Sequence, residues 1–98
     1  MNRNHARLES DLTSKRKEID RVDRKLLDLF NRRIRLVSQA IAIKKEMGKK
    51  MRDLKREWEI LDRLTSINPG PLETRELKTI FRAVMKMSRH AQRGKIKF

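Results

Sequence analysis

Cysteine is absent from this 98-residue chain, and glycine, proline and aromatic residues are scarce. Without cysteine there are no disulfides and no thiolate chemistry. Four aromatic residues (one Trp and three Phe) are too few for a platform on which nucleic-acid bases stack. The chain has no apolar run that resembles a signal peptide, and no stretch approaches the ~18 apolar residues of a membrane span. We therefore expect a cytoplasmic protein that does not enter the membrane.

Positive charge, by contrast, is abundant. The chain carries 27 Lys and Arg against 13 Asp and Glu, a formal charge of +14. Such a balance is typical of nucleic-acid-binding proteins, because neutralised phosphates release counterions. The basic residues are spread along the whole chain rather than interleaved with aromatics, so nucleic-acid binding is not expected, although the charge leaves it open. The same positive field would attract a small dianionic substrate.

The scarce glycines and prolines fall between long helical patterns. From about Leu8 to Met47 apolar residues recur every three or four positions without Gly or Pro, which predicts one long helix ending at Gly48. Asp53 is a suitable N-cap for a second helix, which we expect over 54–67 with Leu54, Trp58, Leu61 and Leu64 in its apolar series. No stretch of the chain alternates apolar and polar residues as a strand would, so helix is favoured over strand throughout.

A third helix follows the break at Asn68-Pro-Gly-Pro-Leu72 and ends near Gly94. Its predicted inward residues are Leu77, Ile80, Phe81, Val84, Met85 and Met87. The sequence therefore predicts an all-α fold and a single domain over 1–98. About 8–93 would be ordered and helical, with tails at 1–7 and 94–98.

The length of the first helix predicts an assembly. About 40 residues span about 60 Å, whereas a compact chain of this size has a radius of gyration of only about 13 Å. The apolar stripe continues along the overshooting part, so a second copy of the chain is the expected cover, in a homodimer. A kink near Ser14–Lys17 that folds the N-terminal part back is the alternative.

Two cations interrupt the apolar stripe of the first helix. At about 100° per residue, Arg33 and Lys44 lie on the same face. The apolar residues on that face are Val22, Leu26, Leu29, Val37, Ala40 and Met47. Because proteins pair or neutralise buried charges, an anion must reach this face, supplied either by the protein or by a ligand.

The other two helices also carry polar residues on their apolar faces. Glu57 precedes Leu61 and Leu64 by four and seven positions, with Asp53 one turn earlier and Arg56 beside it. In the third helix the apolar series leads to Ser88 and then Gln92. Each has a simpler interpretation: Asp53 as a cap only, Arg56 and Glu57 as a surface pair, and Ser88 and Gln92 as the end of an amphipathic helix. Together they predict one cationic pocket between the helices.

These residues resemble a known family. The matching segments are Arg16-Lys-Glu-Ile-Asp-Arg-Val-Asp23, Leu26-Leu-Asp-Leu-Phe-Asn-Arg-Arg33, Ile43-Lys44-Lys45 and Asp53-Leu-Lys-Arg56-Glu57, with Ser88 and Gln92 at the end of the third helix. In combination and spacing they resemble the all-helical chorismate mutases over about Leu12 to Gln92. The resemblance implies three helices, one of them very long, in an intertwined homodimeric bundle.

The resemblance also implies a role for each residue in converting chorismate to prephenate. Arg33 and Arg16 would bind the two substrate carboxylates, and Lys44 and Gln92 would hydrogen-bond the ether oxygen. Glu57 would contact the ring hydroxyl, supported by Asp53 and Arg56, and Ser88 would help hold the ring carboxylate. The predicted catalytic residues are Lys44, Gln92, Arg33 and Glu57. The reaction requires no metal and no cofactor.

Arg16 is too far from Arg33 along the first helix for both to bind one small ligand in the same chain. It lies 17 positions before Arg33, which is about 25 Å along one helix. It cannot reach the same small ligand on its own chain, so it would come from the partner subunit, as the interlocked dimer of the family implies.

Two further functions remain to be distinguished from a chorismate mutase. An isochorismate-pyruvate lyase shares the fold and the cationic pocket, but Glu57 and Ser88 fit the mutase better. A non-catalytic basic helical protein that binds nucleic acid would place its cations on one exposed face, unlike Arg33 and Lys44.

Overall fold

The computed structural model describes the backbone of residues 2–50 and 52–94 and the side chains of 4–50 and 52–91. This part of the chain forms three helices, α1 (Asn2–Glu46), α2 (Leu54–Ile67) and α3 (Thr74–Gly94), and no strand. The predicted all-α class and the order of helices are confirmed. The chain divides into two units, 1–32 and 33–98, so that α1 begins in the first and ends in the second.

The first unit is a stretch of α1 whose side chains are almost all exposed. The helix begins at Asn2 rather than at about Leu8, because nothing in 2–7 breaks it; the predicted tail is helical there. Local pairs along its surface join His5 to Glu9 at 3.3 Å and Lys15 to Glu18 at 3.0 Å. The predicted tail residues 95–98 lie outside the described part.

In the second unit the predicted helix boundaries follow from local hydrogen bonds. Gly48 adopts φ +70°, a conformation that suits glycine, and its amide donates to the Lys45 carbonyl at 3.1 Å, which closes α1. The Asp53 carboxylate accepts from the Arg56 amide at 3.0 Å and caps α2. After α2 the Asn68 side chain accepts from the Gly70 amide at 3.0 Å, and this bond stabilises the turn before α3.

The core of the second unit is small. Its buried apolar residues are Ile41, Leu61, Leu77, Val84 and Met85. Four apolar residues expected on the inward faces of α2 and α3 are exposed in the chain: Leu54 by 61%, Trp58 by 74%, Ile80 by 42% and Met87 by 41%. Trp58 follows the inward-facing Glu57 by one position, about 100° around α2, and this takes it off the buried face. Ile80 and Met87 are each three positions beyond a buried residue, about 60° around α3.

Within the described residues, no helix combines the length and the apolar character needed to span a bilayer.

Candidate active site

A cavity of about 300 Å³ lies among the last turns of α1, the start of α2 and the end of α3, all within the unit 33–98. We call it the first cavity. Six of the predicted site residues line it: Arg33, Lys44, Asp53, Arg56, Glu57 and Ser88. Apolar side chains, among them Val37, Ile41, Ile60 and Met85, form the rest of its wall. The polar residues that each helix carries on its apolar face thus share one cavity.

Two predicted site residues are not among the described lining residues of this cavity. Arg16 lies in the first unit, where its side chain is exposed. The backbone of Gln92 belongs to α3, but its side chain lies outside the described residues. The roles expected of both remain predictions.

Arg33 is held at the cavity wall by the end of α3. Its Nη1 donates to Ser88 Oγ at 2.8 Å, and Ser88 Oγ in turn donates to the Val84 carbonyl at 2.9 Å. Ser88 is only 2% exposed, so its hydroxyl is a fixed acceptor for the guanidinium. Among the described residues no carboxylate lies within ion-pair distance of Arg33, and this leaves its charge available to an anion in the cavity.

The electrostatics around Arg33 are those of a cationic cavity. Burial lowers the pKa of its guanidinium, and the positive charge of Arg56 lowers it further, while Glu57 acts in the opposite direction. The guanidinium is therefore partly desolvated and faces a second cation. Both effects favour the binding of an anion, which would relieve the repulsion.

Lys44 brings a third cation to the first cavity. It lies eleven positions after Arg33, about 16 Å along the axis of α1, and its side chain is half-buried. Long, flexible side chains can bend from these two positions toward one ligand between them. The two cations of the apolar stripe thus line the same cavity in the structure.

Asp53 and Arg56 occupy the first turn of α2 at the cavity edge. Asp53 is the N-cap of α2, as predicted, but it is not a cap only, because its side chain also lines the cavity. Arg56 approaches Glu59 at 4.0 Å, with both side chains more than half exposed, and such a pair contributes little to stability.

Glu57 does not form the surface pair with Arg56 that was one interpretation of the sequence. Its Oε2 accepts from Arg89 Nη1 at 2.5 Å and from Arg52 Nε at 3.4 Å, and its Oε1 accepts from Arg52 Nη2 at 3.3 Å. Arg52 precedes α2 and Arg89 belongs to α3, so the carboxylate is held from two sides. Only 21% of its side chain is exposed, which strengthens the pairing.

Arg52 and Arg89 are the cavity residues that sequence reasoning missed. Both were hidden by the general abundance of basic residues. The available signal was position: Arg52 immediately precedes the cap Asp53, and Arg89 follows the inward-facing Ser88 and lies four positions after the buried Met85. Helical spacing therefore places Arg89 beside the buried face.

The chemistry of the first cavity is that of an anion site with an apolar body. Five cations line it (Arg33, Lys44, Arg52, Arg56 and Arg89), against the carboxylates of Asp53 and Glu57. One of those carboxylates caps a helix and the other is paired twice. The described residues contain no group of three or more His, Cys, Asp or Glu side chains placed to hold a metal ion. The arrangement suits a compact molecule with more than one negative group.

Comparison with known proteins agrees with this geometry. Residues 15–93 match the family described as chorismate mutase type II. A chorismate mutase structure from Thermus thermophilus (form II) is similar with a TM-score of 0.80 and 36% identity, covering 84% of this chain and 93% of that one. The form I structure from the same organism gives a TM-score of 0.77 and 39% identity, over 79% and 96%. No curated protein sequence matches the chain.

Proposed function

Since the chain belongs to the chorismate mutase type II family, we infer that the first cavity is where it binds and rearranges its substrate. The protein is an isomerase of aromatic amino acid biosynthesis that converts chorismate to prephenate. The observation that carries the assignment of the site is that Arg33, Lys44 and Glu57, from two helices, line one small cavity.

The reaction itself determines what the cavity has to supply. Chorismate rearranges within one molecule: the ether C–O bond breaks as a C–C bond forms, and no proton is transferred. The enzyme must hold the flexible dianion in its compact conformer, which is an effect of orientation. It must also stabilise the negative charge that develops on the ether oxygen, which fixed hydrogen-bond donors in a desolvated site do well.

Arg33 is the proposed anchor for a substrate carboxylate. A guanidinium binds a carboxylate with two parallel hydrogen bonds, and the bond to Ser88 limits the directions in which Arg33 can point. Ser88 would help hold the ring carboxylate through Arg33, because its own hydroxyl proton is donated to the Val84 carbonyl. The lowered pKa of Arg33 supports this role, because an anionic ligand restores the stabilisation that burial and Arg56 remove.

Lys44 is the proposed donor to the ether oxygen, together with Gln92. An ammonium placed near that oxygen interacts more strongly with the transition state than with the substrate, because charge accumulates there only as the bond breaks. This difference, rather than binding alone, is what raises the rate. Lys44 therefore contributes mainly to kcat.

Glu57 is the proposed partner of the ring hydroxyl, with Asp53 and Arg56 supporting it at the start of α2. An ionised carboxylate offers about four acceptor positions, and hydrogen bonds from Arg52 and Arg89 take three. The remaining position can accept from a substrate hydroxyl. Because two arginines fix the carboxylate, it is oriented before the substrate arrives.

Arg16 of a second copy is proposed to complete the site in a homodimer. Support comes from the first unit, whose large apolar side chains are exposed in the single chain, for example Leu8 by 66%, Ile19 by 56% and Val22 by 55%. Contiguous apolar surface of this kind marks an interaction site. The dimer and the cytoplasmic location both stay predictions.

Turnover of chorismate by the purified protein tests the activity. We expect loss of chorismate with appearance of prephenate, and Lys44→Ala to lower kcat by at least ~100-fold, as loss of a transition-state donor does. Lys45→Ala is the matched control, because Lys45 is exposed and does not line the cavity. A folded wild-type protein that leaves chorismate unchanged while binding DNA in a salt-sensitive way would overturn the assignment.

The origin of Arg16 can be tested by complementation. Arg16→Ala and Lys44→Ala proteins, each inactive alone, are unfolded together and refolded so that mixed dimers form. If Arg16 acts across the interface, each mixed dimer has one site with both residues intact, and activity returns. Arg16 acting within its own chain predicts that the mixture stays inactive.

A further inference from the structure

A further cavity, of about 450 Å³, lies beside the connection between α1 and α2, within the unit 33–98. We call it the loop cavity. It shares Lys44, Arg52 and Asp53 with the first cavity. Its other lining residues are Lys49, Lys50 and Leu54. The two cavities are therefore adjacent, and Lys44, the proposed donor to the ether oxygen, lies where they meet.

The loop cavity is strongly positive. Four of its lining residues are cations (Lys44, Lys49, Lys50 and Arg52). Asp53 is the one carboxylate among its described lining residues, and that carboxylate accepts from the Arg56 amide as the cap of α2. Within the described residues neither Lys49 nor Lys50 is in an ion pair. The charge of these two ammonium groups is therefore available to an anion that approaches from solvent.

Hydrogen bonds at both ends hold the connection in place. The Lys49 amide donates to the Lys44 carbonyl at 2.9 Å. The Gly48 amide donates to the Lys45 carbonyl at 3.1 Å, and this pair of bonds typically closes a helix at a glycine. At the other end the cap formed by Asp53 fixes the start of α2. Local structure thus places the backbone of Lys49 next to the last turn of α1.

The loop cavity attracts an anion but has little with which to hold one. Leu54 is the one apolar residue of its described lining, and it is 61% exposed. The side chains of Lys49 and Lys50 are exposed, whereas Lys44 is half-buried. A substrate ring gains apolar contact in the first cavity, whose wall includes the buried Ile41. This order of exposure suits a passage from solvent into the first cavity.

From this arrangement we propose that Lys49 and Lys50 capture the dianionic substrate in the loop cavity, from which it passes Lys44 into the first cavity. The proposal rests on the function proposed above. Neither Lys49 nor Lys50 lines the first cavity, so the two ammonium groups act through their charge at a distance. They therefore raise kcat/KM, which depends on how readily the free enzyme gains substrate, and they leave kcat unchanged.

Steady-state kinetics of the variant Lys49→Gln/Lys50→Gln at several salt concentrations test the capture step. For a dianion ~10 Å from each ammonium, we expect kcat/KM to fall about fivefold or more in ~10 mM salt and less than about twofold in ~500 mM salt, because salt screens the attraction. The kcat should match that of the wild type in both. Lys49→Arg/Lys50→Arg keeps both charges and should retain the wild-type kcat/KM.

A matched variant distinguishes the capture site from the overall charge of the chain. Arg63→Gln/Arg75→Gln removes the same charge from exposed residues that line neither cavity, and its kcat/KM should change by less than about twofold in low salt. An equal loss in the two Gln variants would overturn the capture site. So would a wild-type kcat/KM in the Lys49/Lys50 variant, or a loss that persists in high salt, which would indicate an altered loop structure.

Failure of the underlying function has a different signature. A wild-type protein that does not turn over chorismate would overturn the proposed function and the capture site together. Normal turnover by the wild type with no salt-dependent difference between the variants would overturn the capture site alone.

Discussion

Arg89 of α3 donates to the Glu57 carboxylate of α2 at 2.5 Å, across 32 positions of sequence. The pair is largely shielded from water, with 25% and 21% of the two side chains exposed. Hydrogen bonds between charged groups in such surroundings are stronger than at an open surface, because the effective dielectric constant is lower. This contact fixes the orientation of the carboxylate proposed to bind the substrate hydroxyl.

Replacement of Arg89 by Met should lower kcat/KM for chorismate by about tenfold or more, because a charge-assisted hydrogen bond contributes ~1.5–3 kcal/mol. Arg89→Lys keeps the charge and should restore part of the loss, which a purely structural role would not predict. Arg82→Met is the matched control, since Arg82 lies on the same helix outside the first cavity. Steady-state kinetics beside circular dichroism measure both effects, and an unchanged kcat/KM in Arg89→Met would refute the positioning role.

Ser88→Ala should raise KM by about tenfold while costing only about 1 kcal/mol of folding stability. The hydroxyl accepts the Arg33 hydrogen bond at 2.8 Å, and without it the guanidinium is free to turn away from the carboxylate that it binds. Ser66→Ala is the control, because that exposed hydroxyl donates only to the Arg63 carbonyl in its own helix. A Ser88→Ala enzyme with wild-type KM would show that Arg33 needs no such support.

Asp53→Ala should destabilise the protein by about 1 kcal/mol, because it removes the N-cap of α2. Asp53→Asn keeps an acceptor for the Arg56 amide and should retain most of that stability. Urea unfolding at fixed protein concentration measures the difference. If both variants are equally destabilised, the charge of Asp53, rather than its cap, is what matters for folding.

Gly48→Ala should cost about 1 kcal/mol, since φ +70° is unfavourable for a residue with a Cβ. A Cβ built there has nothing within 4 Å, so steric contact adds no further penalty. Turnover should change little, because Gly48 does not line the first cavity. Thermal unfolding together with kinetics checks both expectations, and a larger loss would indicate that the end of α1 packs against another chain.

The helices themselves could be read from the sequence because their signals are local. Each helix boundary depends on residues within a few positions of it, namely the N-cap at Asp53, the glycine at Gly48 and the prolines after Asn68. Helix α2 ends at Ile67 as predicted. The inward direction of Glu57 and Ser88 followed from helical spacing for the same reason. The start of α1 was predicted too late, because residues 2–7 contain no strong signal for or against a helix.

Contacts between helices could not be read in this way. The positions of Arg52 and Arg89 in the sequence indicate that they lie near the site but not which partner they take. Their pairing with Glu57 exists only because α2 and α3 pack together. Trp58 was expected to point inward but is exposed. Helical spacing indicates which face of a helix is buried, but not how wide the buried strip on that face is.

The sequence by itself determined three helices, their boundaries in the second unit, and the set of polar residues that face inward. Tertiary structure alone decided which partners those residues take: Ser88 for Arg33, and two arginines for Glu57. The physical reason is the sequence separation over which each kind of interaction acts. Helix formation and capping depend on hydrogen bonds between residues about four positions apart. A site, in contrast, depends on distances between side chains that only the packing of helices brings together.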